Sequence, residues 1–217
     1  MGKDFIIVLA WPEGLVSGAG SWYDRLFSTN GKYRVGHSAL VLVNSRSNQL
    51  EYFDFGRYHT PINFGRVRDK ETDPDVTLKK AAIIKDNHIE NIQAILLELA
   101  ELKATHGEGK MFASILRGIS FEKGYQYSKL IQNKGAIPYG PLTRGGTNCS
   151  RFVAGVMRAS SSDRYMNLRL KYPFCLSPSP KRNVSIANHN YYVIQNKICQ
   201  QVKKSFVKAY FSSIESV

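Results

Sequence analysis

The stretch PYGPLTRGGTNCSRFVAGVM, residues 138–157, sets the terms of the fold. It begins as a loop punctuated by Pro and Gly and then becomes helical in pattern. Phe152, Val153, Val156 and Met157 recur at the spacing that lines one helix face. Cys149 precedes the first two by three and four residues, so it falls on that same face, in the first turn. Unpaired backbone N–H groups there and the helix dipole favour a thiolate. Helix N-termini and nearby cations lower a cysteine pKa from its usual value of about 8.5. Gly145 and Gly146 allow the backbone to approach a substrate closely. Cys149 is thus a candidate nucleophile, and the competing reading is a small buried hydrophobe.

A cysteine nucleophile needs a base. The histidines are His37, His59, His88, His106 and His189. His88 reads as a surface residue in the first turn of a helix, and His106 (THGEGK) and His189 (NHN) as loop residues. His59 is a second candidate for the base in a polar loop. His37 differs, because it opens GHSALVLV (36–43), a strand apolar on both faces, where an ionisable group needs a partner. After the turn NSRSN, LEYFDF returns as a second strand, giving a hairpin. That strand offers Asp54 or Glu51 to orient the imidazole. A four-residue loop puts Asp54 on the face of His37, and a five-residue loop puts Glu51 there, so register decides. For either acid the competing reading is an ion pair with Arg57, Arg66 or Arg68.

The rest of the chain alternates between the two periodicities. FIIVLAW (5–11) reads as a buried strand and SWYDRLF as a short helix capped by Ser21. GRYHTPINFGRVRDKETDPD reads as a long loop of the kind that is often functional. VTLKKAAII reads as a strand. Asn87 with Glu90 suggests a capping box opening a helix through Ile89, Ile92, Leu96 and Leu99. MFASILRGI reads as a strand and SFEKGYQYSKLIQNKG as a helix ending at Gly135. YPFCLSPSPKRN is irregular by composition. NYYVIQ reads as a strand and KICQQVKKSFVKAYF as a helix. This order predicts an α+β domain with a mostly antiparallel sheet.

The 217 residues suffice for one domain with a real core, and 43% hydrophobic content excludes a disordered chain. A net charge of +13 favours anionic partners. The basic residues are scattered and match no nucleic-acid motif, so no specific nucleic-acid binding is expected. The three cysteines form no CxxC, so neither a zinc site nor a disulfide framework is expected. Cys175 and Cys199 have no evident base partner and read as structural. The N-terminal apolar run is too short for a signal peptide or a membrane span, and Ile6 occupies the position where a myristoylation motif takes Ser or Thr. These features predict a cytoplasmic location, with no transmembrane segment, metal or cofactor.

PYGPLTRGGTNCSRFVAGVM resembles the nucleophile region of the NlpC/P60 cysteine peptidases, where a Pro-Tyr pair and a glycine-containing loop lead into a helix beginning Asp-Cys-Ser-Gly-Phe-Val. GHSALVLVNSRSNQLEYFDFG resembles the histidine hairpin of that superfamily. Here His37 precedes Cys149, the reverse of the standard order. The plan therefore looks like the circularly permuted branch of the papain-like fold, which includes YiiX-like proteins, the lecithin:retinol acyltransferase group and the PPPDE peptidases. YFDFGRYHTPINFGRVR is also similar to a bacterial family of this permuted plan. Asn148 stands where the family has Asp, and Arg151 where it has Gly. The resemblance implies a permuted papain-like catalytic domain over 1–160, with 161–217 as an extension packed on it. It implies Cys149 as nucleophile, His37 as base and Asp54 or Glu51 as the third residue. The implied activity is a thiol hydrolase, an amidase or peptidase working through an acyl-enzyme. An acyltransferase or thioesterase on the same fold, and a non-catalytic module with a basic surface, are the alternatives. Tyr139, Asn148, Arg57 and Arg66 are candidate contacts to a peptide, amide or acyl substrate, and the arginines would suit an anionic one.

Overall fold

The computed structural model describes residues 3–17, 32–34, 36–140, 143–172 and 179–203. The helix expected from Ser21 and the residue Cys175 lie outside them. In chain order the strands are β1 (Asp4–Trp11), β2 (Leu15–Ser17), β3 (Lys32–Arg34), β4 (His37–Val43), β5 (Leu50–Gly56), β6 (Phe64–Arg68), β7 (Ile84–Lys85) and β8 (His88–Ile89). They continue with β9 (Met111–Ile119), β10 (Ile137–Pro138), β11 (Asn190–Gln195) and β12 (Ile198–Lys203). The helices are α1 (Ile92–Glu101), α2 (Phe121–Gln132), α3 (Cys149–Ser160), α4 (Arg164–Lys171) and α5 (Pro180–Ala187).

Eight strands form one antiparallel sheet in the order β10-β6-β5-β4-β1-β9-β11-β12. Both its faces are buried, which is why β1 and β4 are buried at every position after the first and apolar there except at Ser38, whose hydroxyl donates to Leu9 O. On one face Ile6, Val8, Leu40, Leu42, Phe53 and Phe55 pack under α2–α5, through residues such as Phe152, Val153, Met166 and Val184. On the other, Phe5, Ile7, Leu9, Val41 and Tyr52 pack under α1, through Ile92, Ile95, Leu96 and Leu99. The chain is therefore a mixed α+β fold with the helices in two layers around an antiparallel sheet. The described residues beyond 160 belong to the same assembly: β11 pairs with β9, and α5 lies against β1.

Five local expectations are corrected. VTLKKAAII is not a strand, since only Ile84–Lys85 pairs, with β8. Its backbone groups are met by side chains instead: Glu98 accepts from Lys79 and Lys80 N–H, and Asn91 bonds Ile83 N–H and Ala81 O. Asn87 does not cap a helix. Asp86 and Asn87 both have positive φ and form the two-residue turn of the β7–β8 hairpin, so His88 is on a strand and α1 starts only at Ile92. PKRNVSIA is helix α5, with the Ser179 hydroxyl accepting from Arg182 N–H and Pro180 in its first turn. ICQQVK is strand rather than helix, because Asn196 and Lys197, both at positive φ, turn the chain back to pair β12 with β11, and the remainder of the expected helix, from residue 204, lies outside the described residues. The long loop after β5 also contains β6, so Arg66 and Arg68 sit on a strand.

Candidate active site

The β4–β5 register settles which acid meets His37. Ala39 pairs with Asp54 and Val43 with Leu50, and Asn44 N–H donates to Gln49 O at 3.0 Å, leaving a four-residue loop. Asp54 therefore shares the face of His37 and Ala39. Glu51 lies on the opposite face, where Lys70 Nζ donates to it at 2.6 Å.

His37 opens β4 opposite Trp11 at the end of β1, and the two rings stack with centroids 5.8 Å apart. Gly36, at φ +65°, makes this entry possible. A Cβ there would lie 2.3 Å from Trp11 O and 2.6 Å from Pro12 Cα. His37 Nε2 is 3.1 Å from Asp54 Oδ2. Cys149, at the first position of α3, is hydrogen-bonded to the His37 ring. Asp54 occupies Nε2, so Nδ1 is the nitrogen left to exchange a proton with the thiol.

Asp54 is completely buried and densely held. Arg68 binds it bidentately, Nε to Oδ1 at 3.0 Å and Nη2 to Oδ2 at 2.7 Å. The hydroxyls of Tyr52 and Tyr58 donate to Oδ2 at 3.0 and 3.1 Å. The Arg68 guanidinium also donates to Ala104 O at 2.9 Å and lies 3.4 Å above the Tyr58 ring centre. Burial pushes the Asp54 carboxyl up, but the His37 and Arg68 bonds outweigh it and hold the pKa down at about 2. For His37, burial opposes the charge, yet the bonds to Asp54 and Cys149 raise the pKa to about 9. Burial alone would raise Cys149. The imidazole, the Ser38 backbone N–H and the Ser150 hydroxyl bring the thiol below its ordinary value. His106 stacks on Tyr58 at 5.2 Å, and burial together with the Arg68 charge lowers its pKa.

These shifts fix a pH dependence. The contribution of Asp54 is complete above its unfolded pKa of about 4 and is lost as pH falls through the folded value. That of His37 is complete below about 6.5 and is lost as pH rises through the folded value of about 9. In Cys149→Ala, which removes the thiol whose opposite shift offsets that of His37, urea unfolding midpoints should fall on the alkaline side above about pH 6.5, and adding His37→Ala should flatten that decline. An alkaline decline of equal slope in the variant would assign it elsewhere.

The other candidates take different places. The Tyr139 hydroxyl contacts Cys149, both its thiol and its backbone N–H. Burial and the adjacent thiolate charge push its pKa well up, so it remains a protonated donor. Its ring stacks on Phe55 at 5.8 Å, and the Arg57 guanidinium lies 5.4 Å from its centre. Asn148 caps α3, its Oδ1 accepting from Arg151 N–H at 2.9 Å. Asn148→Ala should cost about 1 kcal/mol in urea unfolding and loosen the turn bearing Cys149. Arg66 is tied to Asp73 by two bonds of 2.6 and 2.7 Å and to Tyr58 O, which leaves it poorly placed for a substrate anion. His59 and His189 are exposed, and His88 bonds Asp86 O and Arg117. Cys199 lies on β12, where burial raises its pKa, the opposite of Cys149. Among the described residues no group of His, Cys, Asp and Glu could hold a metal ion, and no helix is long and apolar enough to cross a membrane.

The sequence reading missed Tyr52, Tyr58 and Trp11 and cast Arg68 as a competing partner for the acid or a contact to an anionic substrate, whereas it is bound to Asp54. Tyr52 was findable, because it lies two residues before Asp54 and so shares its strand face.

No curated protein matches the chain in sequence. The crystal structure of the Type VI secretion system effector TseH is similar in fold, with a TM-score of 0.61 at 20% identity, covering 92% of this chain and 98% of that one. A family model described as Type VI secretion system effector TseH-like matches residues 6–166, from β1 into α4. With most of its length matched, the chain belongs to the TseH-like family of Type VI secretion system effectors.

Proposed function

We propose that this effector is a cysteine hydrolase of NlpC/P60 type, with the papain-like core circularly permuted so that the base precedes the nucleophile. The observation that carries the reading is the His37 ring held between the buried Asp54 carboxylate and the Cys149 thiol at a helix start. Proton transfer from Cys149 Sγ to His37 gives a thiolate–imidazolium pair. The thiolate attacks the carbonyl carbon of an amide or ester, forming the C–S bond. The tetrahedral oxyanion is met by the Cys149 backbone N–H and the Tyr139 hydroxyl, which turn from each other to the oxyanion when it forms. Collapse breaks the bond to the leaving amine or alcohol, which takes its proton from His37. Water, deprotonated by His37, then cleaves the thioester and restores the thiol.

The test is incubation with p-nitrophenyl acetate, followed by intact-mass and peptide mapping. The wild type should show a burst of p-nitrophenol and an acetyl group on Cys149. His37→Ala should lose the burst while keeping the circular dichroism spectrum. Acetylation of Cys199 alone, or equal labelling of both cysteines regardless of His37, would sink the proposal.

A further inference from the structure

Away from Cys149, helices α2, α3 and α4 enclose a cleft of about 420 Å3. Tyr127 comes from α2, Arg158 from α3, Arg164, Asn167 and Lys171 from α4, and Tyr172 from just beyond α4. The lining holds three cations and no carboxylate. Among the described residues none of the three cations forms an ion pair. Three like charges gathered on one concave surface repel one another, and their field is strongest inside the cleft. A second, independent feature lies among them. Asn167 Nδ2 donates to Ser161 O at 3.1 Å, while its Oδ1 is buried and accepts no hydrogen bond. An acceptor left so costs about 1–3 kcal/mol unless a donor reaches it. Tyr172 and Leu168 beside it are exposed apolar surface, at 59% and 56%.

We propose that this cleft binds a phosphate ester of a sugar or polyol. Arg158 and Arg164 hold the phosphate oxygens through their forked N–H groups, and Lys171 adds a third charge. The Asn167 amide turns its buried Oδ1 toward the cleft to accept from a ligand hydroxyl, and the tyrosine rings pack on the carbon skeleton. A lone carboxylate would engage one guanidinium and leave two cations unanswered, whereas a phosphate offers more oxygens and up to two charges. Arg158 lies about 13 Å along α3 from Cys149, on the outward face, so the cleft is separate from the thiol chemistry.

The test is calorimetric titration of the full chain with glycerol 3-phosphate and with inorganic phosphate, alongside sedimentation with phosphatidylglycerol and phosphatidylcholine vesicles. Glycerol 3-phosphate should bind saturably and more tightly than inorganic phosphate. Arg158→Gln combined with Arg164→Gln should weaken it at least ten-fold. Asn167→Ala should erase the preference over inorganic phosphate. Co-sedimentation with phosphatidylglycerol that the double variant abolishes would support the site with a lipid headgroup as source. Binding of the soluble ester without it would support a soluble or polymer-borne ester. Absence of saturable binding, or binding that the double variant leaves unchanged while its circular dichroism spectrum matches the wild type, overturns the proposal.

Discussion

Replacing Arg68 with alanine is expected to lower the unfolding free energy by about 3–5 kcal/mol, the usual cost of breaking a buried ion pair from one side. Asp54 is wholly buried and Arg68 is 2% exposed, so water cannot replace the lost guanidinium. The carboxylate would keep the hydroxyls of Tyr52 and Tyr58 and the ring of His37, but lose both bonds to its fixed cation. Arg68→Lys should recover only part of the loss, because an ammonium cannot bond both oxygens in that geometry or stack on Tyr58 in the same way. The joint variant Arg68→Met, Asp54→Leu should be far more stable than Arg68→Ala, since it removes both buried charges. Urea unfolding midpoints check the series. A loss under about 1 kcal/mol in Arg68→Ala would mean the pair behaves like a surface salt bridge.

The second large effect concerns reactivity. In the wild type, iodoacetamide should alkylate Cys149 at lower pH than an ordinary thiol, because the imidazolium stabilises the thiolate. In His37→Ala that cation is gone while burial remains, so the apparent pKa should rise to about 8.5 or above. Alkylation at pH 6.5 should then fall, because a thiol at its ordinary pKa of about 8.5 is only about 1% ionised there. Cys199, whose thiol is raised by burial, provides an internal control that His37→Ala should leave unchanged. Peptide mapping by mass spectrometry reads both sites in one sample. Equal rates for Cys149 in wild type and variant would show that no thiolate–imidazolium pair forms.

The parts of the fold legible in the sequence were those where one period dominated. The strand at 5–11, the hairpin from His37 and the helix from Cys149 all show it, and their apolar patterns match the buried faces. The misread segments were those where a local turn competed with a period. Asp86-Asn87 and Asn196-Lys197 are two-residue turns that need positive φ at both positions, and each overrode a helical pattern beside it. VTLKKAAII has strand-like composition, yet Glu98 and Asn91 of α1 and its cap meet its backbone groups, which no local pattern reveals. At the site, Cys149 and His37 stood out because a helix start and a strand start are sequence signals. Choosing Asp54 over Glu51 needed the register. Arg68 needed β6 to be seen as a strand, and its Gly-rich approach disguised that.

The two outermost strands carry a consequence for association. β10 is only two residues long and ends in Pro138, which has no N–H to offer a further strand. At the far side, β12 has only β11 as a neighbour among the described residues, and it exposes Gln200, Gln201 and Lys203. A short, proline-terminated rim and a polar, lysine-bearing rim are the two standard guards against edge-to-edge stacking. An eight-stranded sheet with an apolar interior on both faces would otherwise template aggregation, and here the described residues of both rims resist recruiting a second copy, the Pro138 carbonyl being already taken by Thr147 N–H at 3.0 Å.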